Sequence, residues 1–273
     1  MNTGALYRAA LVLCLLLGVG LRFVGLTRGT SDFVLPEASN EGVNSAFYAF
    51  HPDEQTLINA ALALDWRSPI DPPLTAYGLL SLYLARAALY GERTLDTDPA
   101  ARSRIYLRVR LLAALLSCAL PAMVFWLGRR VMGMGPALLA ASFTAFTPLA
   151  IQQAHFFTVD GIFAFFALAF FCALSWALER PTRVRYLLVG LIIGAAAAVR
   201  LNGVLLGLML VVGHCAMDWR QVPTRLRDPR LWLAVGGALG VLLLLQPYLL
   251  LDPGRLTRVH TTNDFAYSLQ VAQ

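Results

Sequence analysis

Hydrophobic runs of bilayer length dominate the chain, near residues 8–26, 107–127, 134–151, 157–178, 186–199, 201–217 and 231–251. A helix needs about 20 largely apolar residues to cross a bilayer, and fewer when flanking residues reach the interface. The pattern predicts an all-α polytopic membrane protein of seven transmembrane helices. The first run has no small-residue cleavage site and six more follow it, so it reads as a span rather than a secretory signal. Between the first two runs lies a long loop, residues 27–106. Within it "DEQTLINAALAL" and "LTAYGLLSLYLARAALYG" repeat apolar residues at helical spacing but are too short or too polar to span. They predict helices lying in the membrane interface.

The division at "AAVRLNGV" decides the topology. Residues 186–217 form a 32-residue apolar stretch interrupted there, and one long tilted helix is the alternative to two spans. Charge separates the two. With seven spans and the N-terminus inside, the loops "GRRVMG", "ERPTRVR" and "DWRQVPTRLRDPR" are all cytoplasmic and hold nine arginines, whereas the short loop around "QQAHFF" has none. A merged helix would place "DWRQVPTRLRDPR" outside, against the positive-inside bias. The long first loop then faces the outside. The chain closes on "FAYSLQVAQ" with no further span, which predicts either a natural short form or a longer protein cut at this point, and the odd number of spans favours the second.

Composition agrees with this reading. Hydrophobic residues make up 58% of the chain and charged residues 14%, where soluble domains carry about a quarter charged. All 22 basic residues are arginine. They lie in short loops rather than on one face, which argues for topology and against a nucleic-acid surface. Cys14, Cys118, Cys172 and Cys215 sit singly inside apolar runs and read as small hydrophobes.

Several polar groups break the apolar pattern on the outer side. "AFHPDEQTL" brings His51, Asp53 and Glu54 to the start of a predicted helix. Pro52 suits a first helical position, and the helix dipole favours acidic residues in the first turn. The same position also suits a carboxylate that accepts a proton from an acceptor hydroxyl. Asp160 opens the apolar run "VDGIFAFFALAF", where an ionisable group is costly and marks a functional site, with helix capping as the alternative. His155 precedes it by five residues and suits pairing with Asp160 or Asp53, with a merely solvated interfacial histidine as the commoner alternative. Arg200 is the sole charge of the 186–217 stretch. It suits headgroup contact by snorkelling, or a phosphate held by its donor fork, with Asn202 and Gly203 beside it. Arg22, at the outer end of the first run, is of the same kind. Two acidic positions and an arginine from distant parts of the chain thus reach one membrane face, a combination suited to a lipid-phosphate substrate. A divalent metal on His51, Asp53 and Glu54 is conceivable, but three residues at one helix start converge poorly, and no metal or other cofactor is assigned.

With these residues in order, the chain resembles the bacterial members of the dolichyl-phosphate-mannose-protein mannosyltransferase group (glycosyltransferase family 39), within the GT-C membrane glycosyltransferases. The resemblance runs through "LRFVGL", "HPDE", "DPPLTAYGLLSLYLARAAL", "QQAHFFTVDGIFAFF", "GLIIGAAAAVRLNGVLLGLML" and "QPYLLLDPGRL". It implies a GT-C-like bundle forming a single module over 1–273, a polyprenyl-phosphate-linked sugar donor and inversion at the anomeric carbon. By motif it gives Asp53 the role of catalytic base, with Glu54 beside it and Asp160 as the second acidic position. Arg200 stands where a lysine is common, and Gln246 where the family has Asn. The acceptor expected for such an enzyme is a protein or glycolipid outside the plasma membrane, and a pentose or aminopentose transferase acting on lipid A or another glycolipid is the close alternative within the enzyme class. A transporter or flippase for lipid-linked sugars, or a non-catalytic membrane subunit, is the alternative. The transporter reading asks for midplane charge and internal repeats, and neither is found.

Overall fold

The structure is a computed structural model that describes residues 3–27, 51–65, 71–94 and 99–257. Its described elements are all helical. They run α1 (Thr3–Phe23), α2 (Pro52–Ala63), α3 (Leu79–Ala88), α4 (Pro99–Val131), α5 (Met134–Phe146) and α6 (Pro148–Ala154). There follow α7 (Val159–Glu179), α8 (Arg183–Val199), α9 (Leu205–Ala216), α10 (Val222–Leu226), α11 (Pro229–Leu245) and α12 (Tyr248–Leu251), with short 3₁₀ turns at 201–204, 219–221 and 253–256. The middle of the first loop and the "FAYSLQVAQ" end fall outside the described residues.

Seven unbroken spans are not what the helices form. Among the described residues three helices are long and apolar enough to cross a membrane alone: Gly4–Phe23, Ala101–Val131 and Val159–Glu179. Two bent pairs raise the number to five if each is one span: Met134–Phe146 with Pro148–Ala154, bent by 54°, and Leu201–Ala216 with Trp219–Leu226, bent by 105°. The first bend falls at Thr147–Pro148, since proline disfavours helical backbone in the residue before it. The predicted run 231–251 breaks in the same way at Gln246–Pro247. The run 186–217 also breaks. Arg200 has extended backbone (φ −141°, ψ 129°), so α8 stops there and one straight helix is excluded.

The boundary of the first loop shifts as well. Helix α4 begins at Pro99 rather than at 107 and runs for 33 residues, about 50 Å. Its first turns therefore belong to the same rigid rod as the apolar run.

Helices α2 and α3 occur where helical spacing predicts them. They pack on the ends of α4, α7 and α8 around a core of Leu57, Ile58, Leu79, Leu82, Ile105 and Phe157, all fully buried. Helix α8 is central and touches α3, α7 and α11. Its small residues explain this. A Cβ on Gly190 would stand 2.1 Å from the Ala234 carbonyl oxygen, and one on Gly194 2.5 Å from that of Ala238. Spaced four apart on one face, these glycines let α11 approach backbone to backbone. Packing rather than apolar transfer holds helices together where lipid surrounds them.

Candidate active site

The carboxylates of "HPDE" enter the structure in different directions. His51 caps α2, its Nδ1 accepting the Asp53 N–H at 3.2 Å, and Pro52 takes the first helical position. Its ring also packs near Phe156, with centroids 5.8 Å apart. Successive helical residues point about 100° apart. Asp53 is therefore left half-buried at the surface while Glu54 turns fully into the bundle.

Glu54 is consequently not placed to act on a substrate. Its Oε1 accepts from Arg110 Nε at 2.9 Å and from the Phe157 N–H at 3.1 Å, and its Oε2 accepts from Arg110 Nη2 at 2.8 Å. Arg110 Nη1 reaches the Leu26 carbonyl at 3.4 Å. This bidentate pair ties α2 to α4, to the segment after α1 and to the turn that leads into α7. Expected beside Asp53 at the site, Glu54 is instead buried against Arg110, where it joins α2 to α4. Its commitment to Arg110 also removes it from any metal set with His51 and Asp53. Among the described residues no group of three or more His, Cys, Asp or Glu is arranged to hold a metal.

Asp53 Oδ2 accepts the Tyr77 hydroxyl at 3.0 Å. Tyr77 is placed by its neighbour: the Gly78 N–H donates to the Val199 carbonyl at 2.9 Å, docking the turn before α3 on the end of α8. A Cβ on Gly78 would lie 2.0 Å from the Ala198 carbonyl oxygen. Gly78→Ala is therefore expected to lower the apparent melting temperature, at a cost of about 1–3 kcal/mol. It should also displace Tyr77, so thermal unfolding and any transfer rate should fall together. Gln246 completes the joint. Buried to 2% exposure, it donates to the Ala197 carbonyl at 3.3 Å and accepts from the Tyr248 hydroxyl at 2.8 Å.

The residue after Val199 is Arg200, whose Nη1 pairs with Asp160 Oδ1, both side chains partly open to solvent. Gly203 folds back on α8, where a Cβ would meet the Ala196 carbonyl carbon at 2.6 Å, and the Asn202 side chain is left exposed. Tyr77 registers the whole group. Its hydroxyl is pushed up to about 12, first by burial and then by the Asp53 charge, with Asp160 adding to the shift and Arg200 opposing it. It therefore keeps its proton through neutral pH and remains a donor to Asp53. Asp53, Tyr77, Asp160 and Arg200 form one cluster contributed by α2, the turn before α3, α7 and the end of α8.

Two expected members stand elsewhere. Arg22 is fully buried and bonds Ser117 Oγ at 2.9 Å, the Gly18 and Ala145 carbonyls at 2.9 Å, and the Thr144 carbonyl at 3.1 Å. It joins α1, α4 and α5 rather than facing a phosphate. His155 pairs with neither aspartate. Its Nδ1 lies 2.7 Å from the Ile151 carbonyl and its Nε2 2.8 Å from that of Val24, on the wall of a largely apolar cavity of about 540 Å³.

Two members were missed by the sequence reading. Tyr77 lies inside the quoted "DPPLTAYG" with no charge to draw attention to it. Arg110 carried a usable signal, being an arginine inside the outer end of an apolar run, the same feature that singled out Arg200 and Arg22.

Acidic, basic and phenolic groups of this helical membrane protein thus gather where α2, the turn before α3, α7 and the end of α8 meet. A family model described as dolichyl-phosphate-mannose-protein mannosyltransferase matches residues 105–250, and the chain belongs to that family of membrane glycosyltransferases. No curated protein and no solved structure matches it. The matched region contains Arg110, Asp160 and Arg200. Asp53 and Tyr77 precede it in the chain and join it through the Glu54–Arg110 pair and the Gly78–Val199 hydrogen bond.

Proposed function

We propose that the chain is an inverting glycosyltransferase. It moves mannose or a related sugar from a polyprenyl-phosphate-linked donor to a protein or glycolipid acceptor outside the plasma membrane. The observation that carries this reading is the Asp53 carboxylate, held by Tyr77 and half open to solvent, beside the exposed Arg200–Asp160 pair. Family membership supports the donor class. With Tyr77 on Oδ2, Asp53 keeps Oδ1 for the acceptor hydroxyl. The acceptor oxygen attacks the anomeric carbon and gives its proton to Asp53. The bond from that carbon to the phosphate oxygen breaks, and the lipid phosphate leaves with the electron pair. One displacement inverts the anomeric centre. Arg200 neutralises the leaving phosphate, Asp160 holds Arg200 in place, and exposed Asn202 adds a polar contact.

The bundle in this reading is GT-C-like. The 17-residue helices α8 and α11 serve as spans together with their flanking turns. The N-terminus is cytoplasmic and the Asp53 cluster extracytoplasmic, as the arginine distribution favours.

The test is transfer from polyprenyl-phosphate mannose by the protein in vesicles, followed by determination of the product's anomeric configuration. Inversion is expected, and retention would overturn the single displacement. Arg200→Gln should weaken donor binding about tenfold, the worth of a hydrogen bond to a charged group. Unchanged donor affinity would remove Arg200 from the phosphate site.

A further inference from the structure

The end of the bundle away from Asp53 holds a second polar site that this reaction does not use. Helix α8 separates the two: its 17 residues put Arg183 about 25 Å from Val199. At the Arg183 end a cleft of about 560 Å³ is lined by Arg183, Thr224, Arg225, Arg227, Asp228 and Arg230, among others.

The base of the cleft is fixed. Asp228 accepts the Arg230 N–H at 2.8 Å and binds its guanidinium through Nε at 3.0 Å and Nη2 at 2.6 Å, while Arg230 Nη1 reaches the Pro181 carbonyl at 2.7 Å. Behind it, buried His214 stands between the Tyr186 hydroxyl at 2.6 Å and the Arg225 carbonyl at 3.2 Å, anchoring the segment that carries the arginines. Arg183, Arg225 and Arg227 also line the cleft, Arg183 and Arg227 exposed and Arg225 half-buried. Among the described residues no hydrogen bond or ion pair engages their guanidiniums. With Arg230, four cations stand against the one carboxylate of Asp228.

Basic loops by themselves only orient a membrane protein. Here the charges line a concavity on a fixed base, and two largely exposed indoles stand two positions along the chain from its lining residues Gln221 and Arg230: Trp219 at 62% exposure and Trp232 at 61%, the latter tethered through Nε1 to the Leu226 carbonyl at 2.9 Å. Tryptophan favours the headgroup level of a bilayer, and basic pockets between helices suit lipid head groups. We propose that this cleft binds the phosphate of an anionic membrane lipid, in the leaflet opposite the reaction site. The indoles favour a membrane-borne phosphate over a soluble one.

The experiment is native mass spectrometry of the full chain in detergent with phosphatidylglycerol or phosphatidylcholine of the same acyl chains. Wild type should retain phosphatidylglycerol preferentially. Arg183→Gln with Arg227→Gln should cut that preference about 30-fold, from two surface arginines at the usual strength of such contacts. Thr224→Glu, which puts a negative charge in the cleft, should do the same. Arg8→Gln with Arg129→Gln removes two exposed charges outside the cleft and should leave the preference intact. Melting temperatures without lipid should not differ, because all these side chains are exposed. An equal loss in the Arg8 and Arg129 variant would reduce the effect to general surface charge and overturn the site. So would absence of a preference in wild type, or displacement of phosphatidylglycerol by inorganic phosphate at equal concentration.

Discussion

Asp53→Asn is expected to lower sugar transfer by about 10³-fold, within the range that a positioned general base supplies. The substitution is nearly isosteric. The amide oxygen still accepts the Tyr77 hydroxyl, and the His51 cap uses the backbone N–H of residue 53, which is unchanged. What disappears is the capacity to take the acceptor proton. Donor binding should stay within about twofold of wild type, since Arg200 and Asp160 are untouched, while kcat collapses. Turnover and donor affinity measured side by side check this. Transfer at the wild-type rate would end the assignment of Asp53 as base and favour the non-catalytic readings.

Glu54→Ala should have the largest effect on stability. Arg110 would then keep its guanidinium at 2% side-chain exposure without its carboxylate, and the Phe157 N–H would lose its acceptor. Stranding one partner of a buried ion pair costs about 3–5 kcal/mol, whereas replacing both by apolar residues of similar volume is often tolerated. The double variant Glu54→Met with Arg110→Met should therefore recover most of the stability lost by Glu54→Ala. The apparent melting temperature in detergent reads both. An unchanged value in Glu54→Ala would show that the pair does not hold α2 to α4. Transfer should remain low in the double variant if the pair also sets the turn that carries Asp160 toward Arg200. Recovery of stability without recovery of rate separates that positioning role from simple packing.

The differing fates of Asp53 and Glu54 show where sequence reasoning stops. The motif places both at a helix start, and the dipole favours both. Which one meets substrate depends on a rotation of about 100° and on what lies on each side, and Arg110 arrives from more than fifty positions away. Arg22 and Arg200 looked alike as arginines at the outer ends of apolar runs. One found four protein oxygen acceptors inside the bundle, while the other stayed at the surface beside Asp160. His155 lies five residues before Asp160 in the chain, yet two backbone carbonyls stand against its ring nitrogens. Tyr77 had no signal at all until Gly78 docked on Val199.

The chain alone determined the all-helical membrane character, the two short helices of the first loop, the break at Arg200 and the placing of Asp53, Asp160 and Arg200 as charges that interrupt apolar runs. These follow from costs that are local to a residue: a charge or an unsatisfied peptide group in hydrocarbon is expensive wherever it occurs. Tertiary structure alone decided which charges are buried with partners and which remain open. It also set where long apolar runs bend and which phenol supports Asp53. Those outcomes depend on the approach of distant helices, and small residues such as Gly78, Gly190 and Gly194 permit that approach without naming the partner.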